Sequence, residues 1–328
     1  MNRRLLSILP AGVLAAVVAM VPLPVFLVQP GPARDVEPLI RVRGHDVFAS
    51  EGHFLLTTVT VGRATTFQAL RGWLDEAIDV VSERDVLPRG VTEEQDFAVQ
   101  LSAMDESKLA AAYVALSRVT DYPSARNSGT IVQSVVPGSP AHGRLFAGDL
   151  IVAAGGRAVA DTADLTRRIR QAGFAKPLEL TVRAGGQERT VHVQPGRVAG
   201  VDHPAVGVAL IDNFPFPVTI ESGDIGGPSA GLMWAIGLTD LLTPGDLSGG
   251  RRIAGTGTIG LDGRVGPIGG IVEKMLAARL SGAKVFLVPR GDLPAARAVG
   301  VQMELVPVDT YDQALRYLTS TCGGCGAV

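Results

Sequence analysis

Ser229 stands where its hydroxyl group could become reactive. It directly follows the turn Gly226-Gly227-Pro228 and precedes an apolar run, residues 230–242, that predicts a helix. A hydroxyl at the start of a helix lies where backbone N–H groups have no partner and where the helix dipole favours negative charge. The chemistry that this could support is nucleophilic attack by an activated serine. The alternative is an ordinary helix cap.

A serine hydroxyl is a weak nucleophile until a neighbouring group removes its proton. Lys274, one of four lysines in the chain, could be that base because it lies in a helix start that is otherwise apolar. Burial in such surroundings lowers the pKa of a lysine ammonium towards neutrality. No histidine is close to Ser229 in sequence, and His203 would be the base to consider if Lys274 were only a solvated helix residue. The apolar neighbours of Lys274 are Ile268, Ile271, Val272, Met275 and Leu276.

The segments GPSAG at 227–231, PIGGIVEK at 267–274 and GAKVFLVP at 282–289 resemble the proteolytic domain of Lon-type Ser–Lys proteases. The resemblance implies that Ser229 is the nucleophile and that Lys274 is its general base. Thr256, in AGTGTI, matches a family threonine that hydrogen-bonds the lysine. The natural oxyanion donors are the backbone N–H groups of Gly227, Ser229 and Ala230.

One position departs from the family pattern. Lon ATPases usually carry an acidic residue just before GPSAG, and this chain has Gly226 there. Asp224 lies close in sequence, but we do not transfer the acidic role to it.

Residues 129–194 change to short strands with glycine-rich turns and resemble a PDZ domain of the kind found in bacterial proteases. The specific part is V-x-P-x-S-P-A at 135–141, followed by Gly148-Asp149 before an apolar strand. PDZ domains take up a peptide by strand addition, so the resemblance implies protein or peptide substrates bound in that groove. The alternative is a small β-domain that acts only as a spacer. Asp149 and Asp164 are turn or cap residues in both cases.

Residues 5–28 form an uncharged apolar run after Arg3 and Arg4. The run is long enough to span a bilayer, and the arginines would keep its N-terminal end cytoplasmic. We therefore expect a single-pass cell-membrane protein with the bulk of the chain on the extracytoplasmic side. The alternative is a cleaved signal peptide with Gly31-Pro32-Ala33 as its processing site.

The remaining patterns predict a strand at 52–61, helices at 65–82 and 92–118, and a strand at 206–211. The helix at 92–118 begins with Thr92 and Gln95 at capping-box spacing. The strand and helix at 52–82 resemble, more weakly, the opening of the Lon proteolytic domain, so the PDZ region would interrupt one catalytic domain. The predicted fold class is α+β: a transmembrane helix and a Lon-type proteolytic domain, with a PDZ domain, barrel-like with helices, inserted in it or preceding it. The predicted divisions are 1–36 anchor, 37–120 first part of the Lon-like domain, 121–198 PDZ domain, 199–320 proteolytic domain and 321–328 tail.

Several kinds of partner are disfavoured by the sequence. A net charge of −2 and the lack of a basic-aromatic run argue against a nucleic-acid binder. No GxxxxGK[ST] motif is present, so we expect no ATP, and we expect no cofactor or metal. Cys322 and Cys325 supply only two ligands, which favours a local disulfide or an idle tail.

The sequence therefore predicts an ATP-independent, membrane-anchored serine endopeptidase that selects substrates through its PDZ domain. The resemblance also suggests ring-like homo-oligomers. The competing hypothesis is a non-catalytic PDZ scaffold on a Lon-like fold.

Overall fold

The computed structural model describes residues 18–322. Residues 1–17, which carry most of the predicted membrane span, and residues 323–328, which include Cys325, lie outside the described part. The strands are β1 Pro22–Pro30, β2 Arg34–Asp35, β3 Ile40–Val42, β4 His53–Leu56, β5 Val59–Thr65, β6 Asp79–Ser82, β7 Thr130–Val135, β8 Leu150–Ala154, β9 Arg157–Ala158, β10 Leu178–Ala184, β11 Gln187–Val193, β12 Val208–Asp212, β13 Val218–Ile220, β14 Arg252–Gly255, β15 Thr258–Ile259, β16 Val265–Gly266, β17 Val285–Pro289 and β18 Glu304–Val308. The helices are α1 Thr66–Gly72, α2 Glu83–Val86, α3 Glu93–Val119, α4 Thr162–Ala172, α5 Gly231–Leu242, α6 Ile271–Leu280, α7 Leu293–Ala298 and α8 Tyr311–Thr321, with short 3-10 turns at Glu37–Leu39, Pro228–Ala230 and Arg290–Asp292.

The central sheet has the strand order β18-β17-β14-β4-β2. Its neighbours from β18 to β4 run parallel, and β2 is antiparallel to β4. Parallel strands are stable when both faces of the sheet are covered, and here alternate residues point to different cores. Phe54 and Leu56 pack in the core that contains α5, whereas Leu55 packs in the core that contains α6. The sheet therefore lies between two helical layers.

Helix α5 is buried along almost its whole length, and all of its residues except Thr239 and Asp240 are apolar or glycine. Helix α3 packs across it. The predicted capping box of α3 is present: the Thr92 hydroxyl accepts from the Gln95 N–H, and the Gln95 side chain accepts from the Thr92 N–H. Residues before and after the 129–212 region thus build one core.

Residues 129–212, hereafter the β-rich module, contain the sheet β11-β10-β8-β7-β12, with β9 paired to β8. The module has its own core, and α4 covers it. Strand β12 pairs antiparallel with β7, so residues 208–212, which follow the predicted PDZ boundary at residue 198, belong to the same sheet. The two connections to the rest of the chain lie side by side, because the Asn213 side chain donates to the Ser128 carbonyl at 2.8 Å.

The predicted membrane-spanning helix at 5–28 is wrong for its C-terminal part. Residues 22–30 form β1, the central strand of the sheet β5-β1-β6. Pro22 and Pro24 have no N–H to donate to a helix, and both sit at the start of this strand. Within residues 18–322, none of the helices is both long enough and apolar enough to cross a membrane.

Two other predicted elements differ from those in the structure. The helix predicted at 65–82 ends at Gly72, and residues 79–82 form β6, which pairs with β1. Gly72 packs so closely against Val80 that a Cβ there would lie 2.7 Å from the valine side chain. The strand predicted at 52–61 is broken between β4 and β5 by Thr57 and Thr58, whose hydroxyls donate to the Gly255 and Pro32 carbonyls.

Candidate active site

The turn before Ser229 is held from outside by α3. The Gly227 N–H donates to the Gln100 carbonyl at 2.7 Å, and the Ser107 hydroxyl donates to the Pro228 carbonyl at 2.9 Å. Gly227 has φ 84°, a conformation that glycine adopts without steric cost. The serine that follows starts a short 3-10 turn, which leads directly into α5. Its position is therefore fixed by a rigid, buried helix.

Lys274 and Ser229 are brought together as the sequence predicts. The Lys274 Nζ lies 2.7 Å from the Ser229 Oγ. Lys274 is in the first turn of α6, and only 3% of it is exposed. Ser229 is partly exposed and, like Lys274, lines an open cavity, so a substrate in the cavity can reach its side chain.

Thr256 follows β14 and contacts both residues. Its hydroxyl donates to the Ser229 carbonyl at 3.0 Å, and the Lys274 Nζ donates to the Thr256 Oγ1 at 3.3 Å. A hydroxyl has a single proton, so the bond to Ser229 leaves Thr256 to accept from the lysine. A neutral amine that donates one proton to Thr256 can direct its lone pair at the serine hydroxyl.

Burial lowers the pKa of the Lys274 ammonium from 10.5 to about 8. The negative charges of Asp292 and Glu273 oppose this effect by stabilising the ammonium. Burial also raises the pKa of the Glu273 carboxyl, which weakens its own contribution. The balance leaves a measurable neutral fraction of Lys274 near pH 7, which is the form that can accept a proton.

The predicted oxyanion donors need one correction. The Gly227 N–H is already used in the bond to Gln100, so it is not a free donor in this conformation. Ser229 and Ala230 remain as predicted donors, and both lie in the first turn after Pro228. N–H groups in a first helical turn have no partner within the helix and are free to bind an anion.

The glycine at position 226, where Lon ATPases usually carry an acidic residue, has a steric explanation. A Cβ on Gly226 would lie 2.8 Å from the Gln100 Cβ and 3.3 Å from the Gln100 backbone carbon. Helix α3 therefore occupies the space that an acidic side chain would need. Asp224 is exposed and lines the same cavity as Ser229, without a contact to Lys274 among the described hydrogen bonds and ion pairs.

The cavity in front of Ser229 has a volume of about 790 Å³. Its walls come from α3, from β1 and β5, and from the turn before Ser229. Both apolar side chains and carboxylates line it. The apolar group includes Phe26, Leu56, Leu87, Phe97 and Met104, and the acidic group includes Glu93, Glu94, Asp96 and Asp224.

Sequence reasoning missed the residues that hold this arrangement. Ser107 and Gln100 belong to the helix predicted at 92–118, to which no part of the site was assigned, and Asp292 carried no motif. A buried serine on the apolar side of α3 was the available signal for Ser107. His203 is not close to Ser229: its ring contacts the Arg170 side chain and the Pro204 carbonyl in the β-rich module. No group of three or more His, Cys, Asp or Glu residues between 18 and 322 is arranged to hold a metal.

Comparison with known proteins gives matches for two regions. The family described as Lon protease (S16) C-terminal proteolytic domain matches residues 218–320, and the PDZ domain family matches residues 102–194. The chain is 42% identical over 97 residues to the Lon protease of Campylobacter concisus, which covers 27% of this chain and 12% of that protein. It is 45% identical over 99 residues to the Lon protease of Chloroflexus aurantiacus, covering 27% of this chain and 11% of that protein.

The chain thus spans only a small part of the length of these relatives. Among solved structures, the PDZ domain of the SdrC-like protein of Listeria monocytogenes is 23% identical and has a TM-score of 0.24, covering 25% of this chain and 86% of that one. The matched sequence at 218–320 contains Ser229, Thr256 and Lys274. Residues 218–320 are therefore a proteolytic domain of the Lon (S16) serine-peptidase type, joined in one chain to a PDZ domain.

Proposed function

We propose that this chain is a serine endopeptidase in which Ser229 is the nucleophile and Lys274 is the general base. The observation that carries the proposal is the 2.7 Å distance between the Lys274 Nζ and the Ser229 Oγ. A buried amine with a pKa of about 8 is a suitable base at neutral pH, because a catalytic base works best when its pKa is near the working pH.

In the first step the Ser229 Oγ attacks the carbonyl carbon of the substrate peptide bond, and the hydroxyl proton passes to the Lys274 Nζ. The N–H groups of Ser229 and Ala230 stabilise the negative oxygen that forms. The C–N bond then breaks, and the ammonium of Lys274 gives its proton to the leaving amine. In the second step Lys274 takes a proton from water, and the water oxygen attacks the carbonyl carbon of the acyl-serine ester. The bond between that carbon and the Ser229 Oγ then breaks, Lys274 returns the proton to the Ser229 Oγ, and the second product leaves as a carboxylic acid. Thr256 keeps the amine oriented in both steps.

The test compares wild type with Ser229→Ala and Lys274→Arg in cleavage of an unstructured protein. Arginine keeps the charge and much of the length of lysine, but its guanidinium does not deprotonate in a protein. Both variants should lose nearly all turnover, and Ser229→Ala, which removes only a hydroxyl, should also fold like wild type. The matched control is Lys284→Arg, at an exposed lysine, which should cleave normally.

If Lys274→Arg kept more than a few per cent of wild-type turnover, the Ser–Lys pair would not be the catalytic unit. A wild-type protein that binds peptides without cleaving them would favour the competing hypothesis of a PDZ scaffold. Turnover is measured without nucleotide, because the chain has no P-loop motif and we propose that it works without ATP. Self-association, which the resemblance suggests, is part of the proposal and is checked by the mass of the purified protein in solution.

We infer that the β-rich module delivers extended peptides to Ser229. Strand β12 is an edge strand of its sheet, so one row of its backbone groups is open to pairing with a peptide. Helix α4 packs beside β12, and its first turn is tied to the strand because the Thr162 N–H and hydroxyl both donate to Asp212. A peptide added at this edge would therefore lie in a groove with one helical wall.

The module can be removed without separating distant ends. Asn127 donates to the Phe214 and Pro215 carbonyls, and Asn213 donates to the Ser128 carbonyl. Replacing residues 129–212 with a short Gly/Ser link should leave cleavage of a small peptide intact and impair cleavage of selected proteins. Equal loss of both activities in a protein that still melts cooperatively would argue against a delivery role.

We also propose that the folded part of the chain lies outside the cytoplasmic membrane. The support is the uncharged apolar sequence at residues 5–21, after Arg3 and Arg4, which could anchor the chain or direct its export. A reporter that is active only after export, fused at the C-terminus, should be active. Activity of a cytosolic reporter alone would contradict the proposal.

A further inference from the structure

Helix α1 presents large apolar side chains to solvent. Phe67, Leu70, Trp73 and Leu74 are 61%, 54%, 68% and 82% exposed, and their spacing places them on one side of α1 and the turn that follows it. We call these residues the α1 apolar face. Single exposed apolar residues are common on soluble proteins, whereas four large ones within eight positions mark an interaction surface.

The opposite side of α1 is firmly held. Ala69 and Gly72 are buried, and Gly72 lies against Leu27 of β1 and Val80 of β6. The N-terminus of the helix has a complete capping box formed by Thr65 and Gln68. The α1 apolar face is therefore presented by a fixed element, and not by a loop that could turn its side chains inward.

The chain enters the fold beside this face. The Thr66 N–H and hydroxyl both donate to the Val21 carbonyl, at 3.0 and 3.2 Å. Val18, Met20 and Val21 are themselves exposed. The sequence before them, from residue 5 onward, has no charged side chain. The uncharged apolar sequence thus reaches the folded part at the first turn of α1.

We propose that the α1 apolar face, together with Val18, Met20 and Val21, lies in the interfacial layer of the lipid bilayer. Tryptophan and phenylalanine favour this layer, because an amphipathic or aromatic ring there stays partly hydrated while its apolar body leaves water. The charged residues within this face or directly after it in sequence are Arg71, Asp75 and Glu76. They do not form a basic surface, so contact with lipid should not require anionic headgroups.

This inference rests on the membrane part of the proposed function, and it is independent of the chemistry of Ser229. It also has a geometric consequence for that chemistry. Phe26 of β1 and Val61 of β5 line the catalytic cavity, and α1 packs on the same three-stranded sheet. The bilayer contact would hold this wall of the cavity at a fixed height above the membrane.

Tryptophan fluorescence of the full chain in phosphatidylcholine vesicles tests the proposal. The chain has two tryptophans, and Trp234 is completely buried in α5. In vesicles, the emission of Trp73 should shift to shorter wavelength, and lipids with brominated acyl chains should quench it. Trp73→Phe, which leaves only Trp234, should show neither effect. Both effects should persist at high salt.

A second test introduces negative charges into the α1 apolar face. Leu70→Glu combined with Leu74→Glu should abolish the quenching of Trp73 while peptide cleavage by Ser229 continues. The matched control is Leu280→Glu, at a residue of α6 that is 76% exposed, and it should leave the quenching unchanged.

Three results would overturn the inference. Protein that does not associate with vesicles would contradict the membrane anchor as well. Protein that associates but shows unquenched Trp73 would contradict only the contact of the α1 apolar face. A blue shift that depends on protein concentration and not on brominated lipid would assign the face to an interface between copies of this chain.

Discussion

Lys274 is held between two opposing influences on its charge. Its burial favours the neutral amine, whereas Asp292 and Glu273 favour the ammonium. Asp292 also accepts a hydrogen bond from the Ile268 N–H, at 3.1 Å, so it ties the approach to α6 as well as acting through its charge. An asparagine at 292 can keep that bond through its carbonyl oxygen while removing the charge.

We therefore predict that Asp292→Asn makes the enzyme active at lower pH. Loss of a negative charge disfavours the ammonium and lowers the pKa of Lys274, by about half a unit to one unit. Turnover at pH 7 should rise about three- to fivefold, because the neutral fraction grows when the pKa falls towards the working pH. The measurement is the pH profile of kcat/KM, with Asp202→Asn, at an exposed residue, as the control. A profile that does not move would show that Asp292 has no electrostatic effect on the base.

Thr256→Ala removes the acceptor that orients the amine and leaves Lys274 in place. Turnover should fall about 10- to 100-fold, which corresponds to one hydrogen bond to an activated group. Thr256→Ser keeps the hydroxyl and should recover most of the rate. Equal losses in the alanine and serine variants would mean that the methyl group, and not the hydroxyl, is what matters.

The resemblance to Lon-type proteases predicted which side chains meet, but not what holds them in place. Ser229, Thr256 and Lys274 were identified from short segments, and the structure places them within hydrogen-bonding distance. Ser107 could not be identified in this way, because it is 121 positions from the carbonyl that it contacts. Contacts at such separations depend on how helices cross, which local sequence does not specify.

At the scale of elements, α3 acts as a brace for the turn before Ser229. It contributes the Gln100 carbonyl and the Ser107 hydroxyl, and its surface leaves no room for a side chain at Gly226. The position of Ser229 in the cavity wall therefore depends on the distance between α3 and the turn.

Gly226→Ala should displace the turn, because the new Cβ would lie 2.8 Å from the Gln100 Cβ. We expect turnover to fall at least about tenfold, since small displacements of a nucleophile are costly in rate, and we expect a lower melting temperature. The control is Gly62→Ala on β5, where nothing lies within 4 Å of an added Cβ. If Gly226→Ala kept the wild-type rate and melting temperature, α3 would be able to move away from the new Cβ without loss of activity or stability.

The elements that the sequence patterns misassigned all contribute residues to the three-stranded sheet β5-β1-β6. Residues 22–30 are apolar enough to suggest a membrane span, yet they pair with β5 and β6. Residues 79–82 continue a helical periodicity, yet β1 is available as a strand partner. Apolar runs of this length are compatible with a helix or a strand, and the partner decides. The long helix α3 was predicted correctly because its capping box is a local signal.

For the whole molecule, one buried acidic pair links stability to pH. Glu37 lies in the 3-10 turn before β3, and Asp240 lies near the end of α5 and is 1% exposed. Burial and the hydrogen bond with Asp240 raise the pKa of Glu37 from 4.5 to about 9, and burial raises the pKa of Asp240 as well. The folded protein thus keeps a proton that the unfolded chain releases.

It follows that the stability contributed by this proton should fall as the pH rises from 4.5 towards 9, because the folded state binds more protons in that range. Glu37→Gln imitates the protonated acid and should remove this part of the pH dependence. Melting temperatures between pH 5 and pH 8 should decline less steeply for the variant than for wild type. Glu51→Gln, at an exposed glutamate, should follow the wild-type curve. Parallel curves for wild type and Glu37→Gln would mean that Glu37 is ionised in the fold.

The pairing of β4 with β14 has a consequence for the newly made chain. Thr57 and Gly255, which meet at the end of this pair, are 198 positions apart, and Lys274 lies further on still. Long-range parallel pairing forms late, after the intervening sequence is available. A nascent chain therefore has its β-rich module complete before Ser229 and Lys274 can meet. Until residue 274 has been synthesised the proposed Ser229–Lys274 pair cannot form, so an incomplete chain that lacks most of its last third cannot cleave itself.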